Sequence, residues 1–340
     1  YAPYVCRWQP SGRHAQGCSW GPVPCSPPAR APPELLRRLP RRRSSGTGLG
    51  AGSALGLAAA GHRVIAACHI HPQISTLMAE ARGRAVQLET AKLDVTLASD
   101  REAVFNRFGE SVDVVVCNAA VGEGGPLAEL PTERLRSQFE VNVFSQLDFV
   151  QPYAAAMVAK GAGKIVFLSS IAGLYTVPYL GAYCMSKHAV EAMALTLRQE
   201  LASSGVKVCT INPAPFTTGF NDRNVETHAE WFDPAVHFTP KAAIQDFQTA
   251  MANGMQYDPK LMVDEMVRLI PLDNHRAREM HTPNWEVICK QYQAACWASD
   301  LDGNLPDDFW GKTEDGTPMP PLDTSEPPTM AAADVRPLGL

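Results

Sequence analysis

The chain lacks the marks by which several protein classes are recognised. No run of about 18 apolar residues occurs in its 340, so no membrane-spanning helix is expected. Its nine cysteines are odd in number and form no Cys-x-x-Cys pair, which argues against a disulfide framework. Cys68, Cys117 and Cys209 instead sit inside apolar, strand-like runs, where a free thiol behaves as a small hydrophobe, so a reducing compartment is expected. The N-terminus has no apolar core of a secretory signal. A net charge of −5 gives no electrostatic basis for nucleic-acid binding. Neither an internal repeat nor a metal-ligand cluster is evident; His69 and His71 read as a surface loop. What remains is ordinary globular composition, 45% hydrophobic and 19% charged. The length suits one large α/β domain with appendages, or two small domains.

The small net charge conceals an uneven distribution. Residues 1–44 hold eight Arg, no Lys and one acid, Glu34, giving +7 and leaving −12 for the remainder. With nine prolines and no period of 2 or 3.6, the segment is expected to be irregular, either disordered or not native to the rest. An Arg-rich, acid-poor targeting segment is the other reading, so a cytoplasmic location is expected with organelle targeting left open. From Asp302 onward Pro, Asp and Gly dominate, and a disordered tail is expected. Between these lie a core over 45–220 and a lid with C-terminal helices over 221–301.

The most informative stretch is Gly163–Glu200. Ile165–Leu168 reads as a buried strand, followed by Ser169-Ser170, a Gly-containing loop and a helix entered by Tyr183. Tyr183 and Lys187 are four apart and share one helix face. Ser170, 13 residues before Tyr183, ends a strand that can run beside that helix. A hydroxyl, a phenol and an ammonium together make a proton-transfer site, in which the cation favours the phenolate.

Upstream, Gly46, Gly50 and Gly52 form Gly-x-x-x-Gly-x-Gly, followed by an Ala/Leu helix (Ser53 to Ala60) and a strand (Arg63 to Cys68). Glycines here allow a tight turn and bring backbone N–H groups to a pyrophosphate at a helix start. Asp94 closes a third strand, and Asp113–Cys117 is a fourth that runs into Asn118-Ala119-Ala120. Asn142 lies on an amphipathic helix among apolar neighbours. A sixth strand, Val206–Ile211, leads to Asn212-Pro213-Ala214-Pro215-Phe216-Thr217-Thr218.

These spaced motifs, over roughly Ser45 to Phe220, resemble the short-chain dehydrogenase/reductase family. The resemblance implies a doubly wound Rossmann-type parallel sheet with irregular N- and C-terminal extensions. It also implies an NAD(P)-dependent oxidoreductase interconverting an alcohol and a carbonyl in a small-molecule substrate. Ser170 would hydrogen-bond the substrate oxygen, Tyr183 would exchange its proton, Lys187 would support the phenolate and hold the nicotinamide ribose, and Asn142 would hold a relay water. Cofactor contacts would come from Gly46, Gly50, Gly52, Asp94, Asn118, Ala119, Tyr183, Lys187, Pro213 and Thr218. His69, where an acid would favour NAD, leans the choice between NADP and NAD slightly to NADP. The helix face of Val190, Met193, Ala194 and Leu197 would serve a homo-oligomer in the family, though it reads more simply as core. Trp231, Phe232 and Phe238 would line a substrate lid, or else pack a helix on the core.

One expected element is absent. A buried first strand should precede the glycine loop, yet Leu39-Pro40-Arg41-Arg42-Arg43-Ser44 stands there. The second reading is therefore a non-catalytic or cofactor-impaired member. A serine hydrolase built on Ser170 is a third, but Leu168-Ser169-Ser170-Ile171-Ala172 lacks the Gly-x-Ser-x-Gly elbow. Asp258-Pro259 should cap a further helix to Ile270, and the family's seventh strand is not evident.

Overall fold

A computed structural model describes residues 4–7, 48–253 and 256–299. Its strands are β1 (Tyr4–Arg7), β2 (Arg63–Cys68), β3 (Glu89–Lys92), β4 (Val114–Cys117), β5 (Gly163–Leu168), β6 (Val206–Pro213) and β7 (Arg278–His281). They form one seven-stranded sheet in the order β3-β2-β1-β4-β5-β6-β7.

The helices are α1 (Leu49–Ala59), α2 (His71–Gly83), α3 (Ala98–Phe108), α4 (Thr132–Phe139), α5 (Ser145–Lys160), α6 (Gly181–Glu200), α7 (Phe220–Glu226), α8 (Lys241–Asn253), α9 (Pro259–Leu269) and α10 (Pro283–Ala298). Both sheet faces are covered, as near-continuous apolar strands require. Alternate residues feed two cores: Val64, Ala66, Val114 and Val116 join α1, α2, α9 and α10. Ile65, Ala67, Val115 and Cys117 join α3, α5 and α6. Val190 and Ala194 belong to that second core, so this part of the α6 face is interior. Among the described residues no helix is long and apolar enough to cross a membrane.

The largest departure from expectation is β1. Residues 1–44 were expected to hold no regular element, yet Tyr4–Arg7 is an interior strand of the sheet. It runs antiparallel to both neighbours, Tyr4 opposite Ala66 of β2 and Val116 of β4. The other strand pairings, β2 with β3 and the β4-β5-β6-β7 series, are parallel. The physical reason lies in β2 and β4, whose facing backbone groups must be paired. Tyr4-Val5-Cys6 is a proline-free, β-favoured run able to do so. Because the strand is reversed, Arg7 leaves beside Arg63 at the start of β2, at the opposite sheet edge from the start of α1. The tight strand-to-helix turn expected at the glycine loop is therefore not made from this strand. Gly46 lies outside the described residues, as does the expected tail.

Two more elements were misplaced or missed. The first helix begins at Leu49, earlier than the expected Ser53, because Gly50 and Gly52 are themselves helical. Their lack of a side chain serves packing: a Cβ on Gly52 would lie 2.7 Å from Val263 Cγ2, and one on Gly56 2.5 Å from Val267 Cγ2. Those valines are on α9, whose start matches expectation, with the Asp258 carboxylate accepting from the Lys260 amide at 2.8 Å. The end of α9 is fixed by Lys164 of β5, whose buried ammonium donates to the carbonyls of Leu269, Ile270 and Leu272 at 3.2, 3.1 and 2.8 Å. β7, which no apolar run announced, pairs in parallel with β6 through Arg-Glu-Met-His.

Candidate active site

The site forms where β4, β5 and β6 end and α6 begins. β5 stops at Leu168, and Ser170 adopts an extended conformation from which its Oγ accepts the Ala172 amide at 3.1 Å, capping the short turn Ile171–Gly173. Its carbonyl accepts from Asn212 Nδ2 at 2.9 Å, tying the end of β5 to β6.

Tyr183 and Lys187 sit one turn apart on α6, both buried. The Lys187 ammonium lies 5.8 Å from the centre of the Tyr183 ring and donates to the Leu168 carbonyl at 2.8 Å. Burial pushes the Lys187 ammonium down to about 8, with the charge of Glu191 pulling the other way. Glu191 is itself buried one turn further on; its carboxylate accepts from Asn212 Nδ2 at 2.6 Å and from Arg278 at 3.1 and 2.9 Å.

Asn142 was expected on an ordinary amphipathic helix; it lies in a π-helical turn, Glu140–Phe144, between α4 and α5. The wider turn lets its side chain face inward. Its Oδ1 accepts from the Val121 amide at 2.8 Å, and its Nδ2 donates to the Val121 carbonyl at 2.8 Å and to Ser186 Oγ at 3.0 Å. Ser186 Oγ in turn donates to the Tyr183 carbonyl at 2.8 Å. Gln138 Nε2 also donates to Ser186 Oγ, at 3.1 Å. Asn142 thus anchors the loop after β4 to the first turns of α6.

A cavity of about 280 Å³ opens here, with Ser170, Tyr183, Lys187, Asn118, Pro213 and Thr218 on its wall. Those six expected residues are brought together. Asn142, Gly50, Gly52, His69, Asp94 and Ala119 are not on the wall. Ala119 is buried behind it, its carbonyl accepting from Gln146 Nε2 at 2.8 Å. His69 Nε2 and Asp94 Oδ2 meet at 3.1 Å beyond the ends of β2 and β3. Burial works against the Asp94 carboxylate, but hydrogen bonds with His69 and Thr96 outweigh it and hold the carboxyl well below the usual range. A carboxylate therefore does stand beside His69, supplied by the neighbouring strand end rather than by β2.

The expected lid aromatics are elsewhere. Trp231 packs against Gly125, Phe238 is exposed, and neither they nor Phe232 line the cavity. Phe220, Asn224, Met251 and Trp285 line it instead. No local motif marks these four, which α7, α8 and α10 deliver from distant parts of the chain. Glu191 was equally hidden, because its partners come from β6 and β7.

The residues fit a nicotinamide dinucleotide at the end nearest Tyr183. Leu49, the first residue of α1, lines the cavity. Gly52 makes the early helical bond to Gly48 at 3.1 Å, so the amides before it have no partner inside the helix. Gly48 provides no side-chain cap to compete for them. Among the described residues no group of His, Cys, Asp and Glu is placed to hold a metal.

Comparison with known proteins points the same way. The family model described as short chain dehydrogenase matches residues 44–229. An NADPH-dependent 3-dehydrocapnine reductase of Ornithobacterium rhinotracheale is 44% identical over 113 residues, 32% of this chain and 40% of that protein. The uncharacterized oxidoreductase YbbO of Escherichia coli strain K12 is 32% identical over 185 residues, 54% of this chain and 68% of that one. The chain thus spans less than half the length of the first of these and about two-thirds of the second. Among solved structures, a short-chain dehydrogenase from Streptomyces avermitilis superposes with a TM-score of 0.61 at 23% identity, covering 74% of this chain and 90% of its own, which shows a shared fold.

Proposed function

This chain belongs to the short-chain dehydrogenase/reductase family, and from that premise we propose that it interconverts an alcohol and a carbonyl with NADP or NAD as the redox partner. The observation that carries the reading is the burial of Tyr183 and Lys187 on one face of α6 with Ser170 on the same cavity wall. Bound nicotinamide supplies the hydride acceptor in one direction and the hydride donor in the other.

The chain's own residues handle the oxygen and its proton. In the oxidative direction the alcohol O–H proton passes to the Tyr183 oxygen as the carbon gives up its hydride; in reduction Tyr183 returns that proton to the carbonyl oxygen. Lys187, as the ammonium nearest that ring, stabilises the phenolate. Ser170 Oγ donates to the developing oxyanion. Asn118, Pro213, Thr218 and the first amides of α1, Gly50 among them, hold the dinucleotide, with Thr218 at the carboxamide. His69 meets the adenosine ribose and Asp94 the adenine. The relay water at Asn142 stays part of the proposal. A homo-oligomer is the expected assembly.

Tyr183→Phe tests the assignment, since it removes one oxygen and leaves the ring in place. Turnover followed by nicotinamide absorbance should fall by about 10²–10⁴-fold, the usual share of a positioned acid–base group. A variant as active as the parent would show that the proton passes elsewhere.

The reversed β1 supports a second reading, in which the dinucleotide is held poorly because the glycine loop does not continue from a parallel first strand. The two readings part on whether either nucleotide stabilises the fold.

A further inference from the structure

Among the described residues lining the cavity, Lys187 alone is charged. Its ammonium donates to the Leu168 carbonyl at 2.8 Å and lies by Tyr183, so its one charge serves the Tyr183 oxygen and none is left for a second anion. The rest of the wall is mainly apolar or aromatic, with Tyr175, Val177, Leu180, Phe220 and Met251, and its polar side chains, Ser169 and Asn221 among them, are uncharged. A carboxylate, phosphate or ammonium brought in would lose its water without gaining a counter-charge. A polyol would leave several hydroxyls unpaired.

Three side chains of that wall each hold a buried polar atom without a hydrogen-bond partner: Ser169 Oγ, Asn224 Oδ1 and the indole N–H of Trp285, on residues that are each 3% exposed. Trp285 stacks beside Tyr175 with ring centres 5.8 Å apart, while Asn224 packs against Gly122, where a Cβ would lie 2.4 Å from Asn224 Cγ. Both side chains are therefore held in place, one offering a donor and the other an acceptor. An orphaned buried donor and acceptor on a ligand-sized cavity call for a ligand that satisfies them.

The volume sets the size. A cavity of about 150 Å³ holds benzene. The 280 Å³ here accordingly takes two ring-sized groups, one nicotinamide and one belonging to the substrate.

We propose that the substrate is a neutral, mainly apolar alcohol or ketone. It carries about one ring or a six-carbon chain beyond the reacting carbon, and one uncharged hydrogen-bonding group met by Trp285 and Asn224. This rests on the oxidoreductase reading of the same site.

The test uses the full chain with NADPH or NADH and the alkan-2-ones from butan-2-one to decan-2-one. It adds ω-hydroxy ketones and keto acids of the same lengths, and sorbitol with NADP or NAD. Thermal shifts with the same compounds give a readout that needs no turnover. kcat/KM should climb about fourfold per added methylene and level off near six carbons past the carbonyl. A terminal carboxylate should lower it by about 100-fold or more. A terminal hydroxyl should raise it, and Trp285→Phe, which keeps the ring stack, should remove that gain. If the neutral ketones stabilise the protein in that order and are not turned over, the substrate class stands and the oxidoreductase reading falls. If carboxylates or sorbitol are turned over best, the reaction stands and the substrate class is overturned. Indifference to chain length in both readouts also overturns it.

Discussion

Lys187 carries its charge where burial penalises it. The ammonium is pushed down to about 8, and the nearby Glu191 carboxylate keeps it from falling further. In the proposed mechanism Lys187, protonated below that pH, supports the Tyr183 phenolate, and above it the support is lost. The rate of alcohol oxidation should therefore decline as pH rises through about 8. Lys187→Arg, which keeps its charge at any working pH, should move the decline upward wherever the variant retains activity. Glu191→Gln removes the favourable negative charge, so its decline should begin at a lower pH than the parent's. It also weakens the contacts with Asn212 and Arg278, costing about 1–3 kcal/mol of stability. A pH–rate profile of the three proteins checks all of this; identical alkaline limbs would sever Lys187 from the chemistry. At this scale the clustering of Ser170, Tyr183 and Lys187 was legible, because they lie within 18 positions and local spacing brings two of them to one face. Glu191, Asn224 and Trp285 were not, since their neighbours come from tens to hundreds of ångströms of extended chain away.

At the scale of elements, the glycines of α1 were legible as glycines but not fully in their purpose. The motif points to a phosphate, yet the bare face of Gly52 and Gly56 meets Val263 and Val267 of α9, four residues apart on each helix. Gly52→Ala should lower stability by about 1–3 kcal/mol through overpacking. Val263→Ala in the same chain should recover part of that loss, and a double-mutant cycle by denaturant unfolding measures the coupling. Additive effects would mean that the two helices do not meet at this pair. β7 was invisible for a different reason. Four residues rich in charge, with only Met280 and His281 buried, carry no period-two pattern, and the strand exists because β6 offers it an edge.

For the whole molecule, the layered α/β architecture followed from the resemblance that the spaced motifs carry. The direction of β1 did not. Backbone pairing in a sheet gap depends weakly on side chains, so neither the position nor the polarity of a four-residue strand is written in its composition. That reversal bears on cofactor binding, because it separates the interior strand β1 from the helix start that should receive the pyrophosphate. Thermal unfolding of the full chain with NADP, NADPH, NAD and NADH, each at about 100 times its Kd, tests the central claim most directly. Binding to the folded state alone adds about 2.7 kcal/mol, which in a domain of this size raises Tm by roughly 5–10 °C. Such a rise is expected with at least one of the four, and it is retained in Tyr183→Phe. No rise with any of them would contradict that claim.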